Sequence, residues 1–110
     1  MTDRELIEAA AKAVGYTLVD HFDAHGEYWP WCKELADNWC PLTDDGDALR
    51  LAVKLGMRDY FYVEIQKTCV QTSFLDPHEE IFYEAFKDQD PYAATRRAIV
   101  RAAAELGRLL

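Results

Sequence analysis

Trp39-Cys40-Pro41-Leu42-Thr43-Asp44-Asp45-Gly46-Asp47-Ala48-Leu49-Arg50-Leu51-Ala52-Val53 reads as the start of a helix and is the stretch from which the fold is worked out. Trp39 and Pro41 make a rigid lead-in. Thr43, Asp44 and Asp45 offer side-chain oxygens to the unpaired N–H groups of a first helical turn. Asp47 adds negative charge where the helix dipole favours it. Leu49, Leu51, Ala52, Val53 and Leu55 form an apolar stripe, and Gly56 is expected to stop the helix, which runs over Asp44–Leu55.

Upstream, Thr2-Asp3-Arg4-Glu5 fits a capping box in which Thr2 and Glu5 satisfy each other's backbone N–H. It opens a helix over Asp3–Val14, with Leu6, Ile7, Ala10, Ala11 and Val14 as the buried stripe and Gly15 as the C-cap. Tyr16–Phe22 alternates as a strand, with Tyr16, Leu18 and Asp20 on one side and Thr17, Val19 and His21 on the other. Residues 23–42 form a long aromatic connection that holds Trp29, Trp31 and Trp39, two of the three cysteines and two prolines. A short turn of helix is expected from Cys32 to Asp37. Connections this long are uncommon unless functional or packed by their own side chains.

Downstream, Tyr60–Gln66 alternates and is rich in β-formers. Lys67–Phe74 either continues that strand or returns as its hairpin partner. Asp76-Pro77 marks a turn, and Glu80–Phe86 alternates again. Asp90-Pro91 supplies an N-cap followed by Pro at the first helical position. The helix it opens carries Ala98, Ile99, Ala102, Ala103, Leu106 and Leu110 on one face, and its alanines allow close approach to a sheet. The order α-β-α-β-β-β-α implies one α+β domain. An antiparallel or mixed sheet of three to four strands is covered by three helices.

Composition narrows the function classes. The 110 residues are half apolar and 13% aromatic, enough for one core without staples. No segment approaches the roughly 20 apolar residues needed to span a membrane. The charged start Met1-Thr2-Asp3-Arg4-Glu5 does not read as a signal peptide. Three irregularly spaced cysteines argue against a disulfide framework, and a reducing cytoplasm is the default. A net charge of −8 disfavours direct nucleic-acid binding and suits either solubility or a partner with a basic groove.

Few residues are arranged for chemistry. His21, His25, Cys32 and Cys40 are the sharpest metal candidates. On a strand the two histidines would lie about 13 Å apart, at roughly 3.3 Å per residue. The cysteines lack the tight spacing of structural zinc sites. Cys69 reads as a core residue of a strand. Cys32, beside Lys33, and Cys40 have no local signature of a nucleophile. The acid clusters Asp44/Asp45/Asp47, Glu79/Glu80 and Asp88/Asp90 fall at helix starts and turns, where structure already favours acids. Isolated glycines give no phosphate loop. Arg96, Arg97, Arg101 and Arg108 read as the solvated face of the last helix, partly paired with Glu105. The tryptophan connection is the best site candidate: exposed tryptophans would mark a partner surface, and folded-in ones would be core.

Trp39–Val53, and the stretch Ala94-Thr95-Arg96-Arg97-Ala98-Ile99-Val100-Arg101-Ala102-Ala103-Ala104-Glu105-Leu106-Gly107, resemble the phage α-β-α sandwich domain family of small phage and prophage proteins. Cys40 stands where that pattern has Asn. The resemblance implies a phage or prophage origin, hence the bacterial host cytoplasm, and a helix-covered sheet. It carries over no reaction and no catalytic residue. The expected function is therefore a non-enzymatic accessory protein, without cofactor, that binds a host or phage protein through Trp29, Trp31, Trp39, Asp44, Asp45 and Asp47. A sharper version is an anti-defence, anti-CRISPR-like inhibitor that occupies a basic groove. The alternatives are a small metal-dependent enzyme using His21, His25 and nearby acids or cysteines, and a homo-oligomeric structural module.

Overall fold

The helix that Asp90 and Pro91 open is the one on which the rest of the chain is assembled. In the computed structural model, which describes residues 1–58, 60–74 and 80–110, this helix runs Pro91–Arg108 (numbered α3 in chain order). The Asp90 carboxylate accepts the Tyr92 N–H at 2.8 Å. Ala94, Ala98, Ala102, Ala103 and Ala104 are all buried, on more than one face of the helix. Three elements share those faces: α1 (Asp3–Ala13), α2 (Asp45–Arg58) and a three-stranded sheet.

The sheet is antiparallel and ordered β4 (Phe61–Ile65), β5 (Cys69–Phe74), β6 (Phe82–Ala85). Its pairing places Phe61 opposite Phe74, Val63 opposite Thr72 and Thr72 opposite Phe82. Phe61 and Phe74 pack with ring centroids 5.0 Å apart. Buried Thr72 donates its hydroxyl to the Ala98 carbonyl at 2.8 Å, a direct tie from sheet to helix. The other face carries Tyr62, Glu64, Gln71 and Tyr83, as expected of an antiparallel sheet covered on one side.

A second, smaller antiparallel sheet holds β1 (Leu18–Val19), β2 (Trp31–Cys32) and β3 (Asp37–Asn38). The α+β class and the sequence of three helices with a β-β-β run before the last are as read, but the observed order is α-β-β-β-α-β-β-β-α: the one strand expected between the first two helices is three short strands, so six strands lie in two sheets rather than three to four in one.

Particular expectations are corrected. The α1 capping box is present, with reciprocal bonds between Thr2 and Glu5. The helix ends in a Schellman turn: Tyr16 N–H reaches the Ala11 carbonyl, and Gly15 sits at φ +76°. The strand expected over Tyr16–Phe22 shrinks to Leu18–Val19 plus a lone bridge from Phe22 to Tyr28. The helical turn expected over Cys32–Asp37 is instead a strand, a turn and a strand. Ala36 lies at φ 51°, the left-handed position that reverses the chain there. Lys67–Phe74 returns as the hairpin partner of β4. The Asp76-Pro77 turn and the Glu79 half of the Glu79/Glu80 pair lie outside the described residues.

α2 does not stop at Gly56. It runs on to Arg58, because Leu55 is anchored in the core and the Arg58 guanidinium donates to the Ala13 carbonyl of α1. Its apolar stripe is also not the one expected. Ala48, Leu51 and Leu55 are buried, whereas Leu49, Val53 and Met57 are 65%, 54% and 82% exposed. α2 thus carries apolar residues on two opposite faces, and the fold buries one. Leu110, expected on the buried face of α3, lies past the helix end and is exposed.

Two glycines on helices have opposite surroundings. A Cβ at Gly107 would lie 1.8 Å from the Ala9 carbonyl oxygen of α1, whereas one at Gly56 meets nothing within 4 Å. Gly107→Ala must therefore push α1 away from α3, and it is expected to destabilise by about 3 kcal/mol or more, at the upper end of overpacking costs. Gly56→Ala is expected to stabilise by up to about 1 kcal/mol, through helix propensity. Urea unfolding of the two variants checks the opposite signs.

Candidate functional site

The site is built on the small sheet by strand alternation. Leu18 pairs with Cys32 and Val19 with Trp31, while Trp31 pairs with Asn38. The same register continues outward: Trp29 N–H donates to the His21 carbonyl, and Phe22 bridges to Tyr28. With side chains alternating between faces, Pro30 and Cys32 turn into the core and Trp29 and Trp31 turn out. Trp29 is 37% exposed and Trp31 41%, with Val19 beside Trp31 and His21 beside Trp29. Asn38 secures this face by donating its amide to the Trp29 carbonyl at 2.8 Å.

The surrounding loops are acidic. Between Asp20 and Asn38 lie Asp20, Asp23, Glu27, Glu34 and Asp37, with Lys33 as the one cation. Two of these acids hold turns. Asp23 accepts the N–H groups of His25 and Glu27 at 2.8 and 2.9 Å. Glu34 accepts the Thr17 N–H at 2.6 Å and the Thr17 hydroxyl at 2.9 Å. The Thr17 backbone N–H is the main reason that the Glu34 carboxyl lies below its ordinary pKa. All five acids remain at the surface, so their field projects outward.

Arg4 of α1 clamps the other side of the same hairpin. Its guanidinium lies 5.0 Å from the Tyr28 ring centroid and 5.9 Å from that of Phe22, and it pairs with Glu8 at 2.9 Å and with Asp20. Burial, then the nearby Asp20 and Glu8 carboxylates, push the Tyr28 phenol up to about 12.

Trp39 is elsewhere. It is 1% exposed and meets Tyr16 edge-on, with centroids 5.3 Å apart, so it belongs to the core and offers no docking surface. The expected acids Asp44, Asp45 and Asp47 hold the start of α2 together. Asp44 caps the helix by accepting the Asp47 N–H at 2.8 Å. Asp47 is buried, accepts the Cys40 N–H at 3.0 Å and pairs with Arg50 at 2.9 Å. Asp45 pairs with Arg96 at 2.6 Å, and Arg96 also donates to the Leu42 carbonyl. Of the side-chain caps expected from Thr43, Asp44 and Asp45, Asp44 is the one observed.

The arginines of α3 are likewise committed rather than free on a solvated face. Arg97 pairs with Asp3, Arg101 with Glu84 and Arg108 with Glu105.

The metal candidates do not converge. His21 is exposed on the hairpin beside Trp29 and His25 is exposed on its turn, while Cys32 and Cys40 are buried. Among the described residues no three His, Cys, Asp or Glu groups gather as a metal site. Burial is the largest influence on the Cys32 thiol and raises its pKa, the wrong direction for a nucleophile. Cys69 is buried, as read, with its sulfur 3.3 Å from the Gln66 amide oxygen. The surface missed in the sequence is the outward row Leu49, Val53 and Met57. Its signal was present, since their spacing of four differs from that of Ala48, Leu51 and Leu55.

Compared with known proteins, the chain matches no family model, no curated protein and no solved structure.

Because the folded Tyr28 phenol titrates above an unfolded tyrosine near 10, its stabilising effect is complete below pH 10 and is lost as pH rises through about 12. Tyr28→Phe is expected to lose less stability than the native chain between pH 10 and pH 12, as measured by denaturant unfolding across that range.

Proposed function

We propose that this protein is a non-enzymatic binding protein whose small-sheet face docks on a basic partner protein. The observation that carries the reading is the outward pair Trp29 and Trp31, with Val19, set within the acid-rich segment from Asp20 to Asn38. Half-exposed tryptophans on a strand bring large contact area at little entropy cost, which is the chemistry of interface hot spots. The surrounding carboxylates, on a chain of net charge −8, would steer a basic surface onto them and speed its association. Asp44, Asp45 and Asp47, also expected on the partner surface, are engaged in helix capping and ion pairs.

The resemblance of Trp39–Val53 and Ala94–Gly107 to phage α-β-α sandwich domains supports the role of a phage or prophage accessory protein that acts on a host or phage protein. Covering a basic nucleic-acid groove, as an anti-CRISPR-like inhibitor would, is the form of that role that the charge suits best.

Affinity capture from a bacterial lysate with the native chain and with a Trp29→Ser/Trp31→Ser variant tests this. We expect a basic partner that is retained at low salt, released at high salt and lost in the variant at unchanged thermal midpoint. Capture that is indifferent to both tryptophans and to salt overturns the reading.

A second reading, a homo-oligomeric module, is favoured by the outward row Leu49, Val53 and Met57 on α2. It predicts a multiple of the 12.7 kDa chain mass in light scattering, reverting to that mass in Val53→Lys. A monomer at high concentration removes it.

A further inference from the structure

We propose that the concavity between the C-terminal ends of α1 and α2 binds a small phosphate-bearing molecule. This site lies apart from the tryptophan face and does not depend on the reading given for it. The concavity measures about 490 Å³ and is lined by Lys12, Lys54 and Arg58, with Val14, Gly15 and Met57 as neutral walls. Among the described residues no carboxylate lines it, on a chain in which acids outnumber Lys and Arg by 20 to 12.

The other arginines of the chain are paired. Arg4, Arg50, Arg96, Arg97, Arg101 and Arg108 each pair with a carboxylate. Among the described residues, Lys12, Lys54 and Arg58 have no such pair; Lys33, Lys67 and Lys87 have none either, but Lys12, Lys54 and Arg58 are brought together in one concavity.

The three cations are nevertheless positioned. Lys12 sits in the last turn of α1. The Lys54 ammonium lies 4.7 Å from the Tyr16 ring centroid. One arm of Arg58 donates to the Ala13 carbonyl, and the guanidinium fork keeps other N–H donors for a ligand.

The ends of two helices help to gather these cations, because helix C-termini favour positive charge. The helix ends do not neutralise them, however. Each C-terminus is equivalent to about −0.5 charge, so two of them leave roughly two of the three positive charges uncompensated. A phosphate monoester carries about −1.5 to −2 at neutral pH, which matches that remainder. The volume lies within the range of about 300–1,000 Å³ usual for small-molecule sites and exceeds what one phosphate fills. The organic part of the ligand would rest against Val14 and Met57. A small ligand suits this site better than an extended polyanion, which would also meet the acidic remainder of the surface.

The test is a pyrophosphate titration of the isotope-labelled protein followed by amide resonances. Inorganic phosphate and a single-stranded oligonucleotide serve as comparison ligands. We expect saturable shifts confined to Val14, Gly15, Met57 and their neighbours, with pyrophosphate binding more tightly than phosphate. Lys12→Gln and Lys54→Gln should each weaken pyrophosphate about tenfold, the loss of one charged hydrogen bond. Lys87→Gln changes the net charge equally at an exposed position outside the concavity and should leave binding within a factor of about two, as expected for a distant, screened charge. The thermal midpoint of each variant shows that it is folded. Shifts that do not saturate, equal weakening by all three substitutions, or an oligonucleotide that binds these residues more tightly than pyrophosphate would each overturn the proposal.

Discussion

The approach of Gly107 to the Ala9 carbonyl is the constraint on which the rest of the structure depends. With no side chain at 107 and alanines along the neighbouring turns, the backbones of α1 and α3 come into direct contact at this crossing. That spacing puts Leu6, Ile7 and Ala10 of α1 and Ile99, Val100 and Ala103 of α3 into one core cluster. It also leaves the other sides of α3 narrow enough for a sheet and a third helix to pack on them. Interiors are dense, so one methyl group at this crossing would be felt by every layer built on α3.

The second organising point is the start of α2, where one short segment meets several demands. The Cys40 carbonyl accepts the N–H groups of Thr43 and Asp44, and its own N–H is held by buried Asp47. Arg96 reaches across from α3 to the Leu42 carbonyl and to Asp45. The helix start is thereby fixed to the central helix, and Trp39, just upstream, is fixed in the core against Tyr16. This anchoring frees the residues before Trp39 to form the small sheet. There alternation divides the three tryptophans: Trp39 inside, Trp29 and Trp31 outside. The aromatic surface is thus a consequence of where the core residue of the same loop had to go.

Much of this was legible in the residues, where local rules suffice. The Thr2–Glu5 capping box, the Asp90-Pro91 start, the Gly15 turn and the alternation of β4 and β6 each involve groups within a few positions of one another. Where distant partners decide, local reading misled. Gly56 looked like a stop, but Leu55 and Arg58 are tied to the core and to α1, and that packing outweighs the small propensity cost of one glycine. Residues 32–37 looked helical, but the Lys33 N–H donates to the Thr17 carbonyl, Glu34 accepts from Thr17, and Cys32 pairs with Asp37 across the turn. The acids of 44–47 were correctly read as structural, yet the partners of two of them, Cys40 N–H and Arg96, were not visible from spacing.

The sequence by itself determined the α+β class, the order of the three helices and the β-run before the last, the main helix starts and the acidic, aromatic character of the 20–38 segment. These follow from capping chemistry, periodicity and composition, which are properties of neighbouring residues. Only the tertiary structure decided which apolar face of α2 is buried, which tryptophans reach the surface, and which cations of an acidic chain gather in one concavity. Those outcomes depend on which segments compete for the same faces of α3. A helix apolar on two sides can bury only the side that finds a partner, and a local pattern carries no record of which side that is.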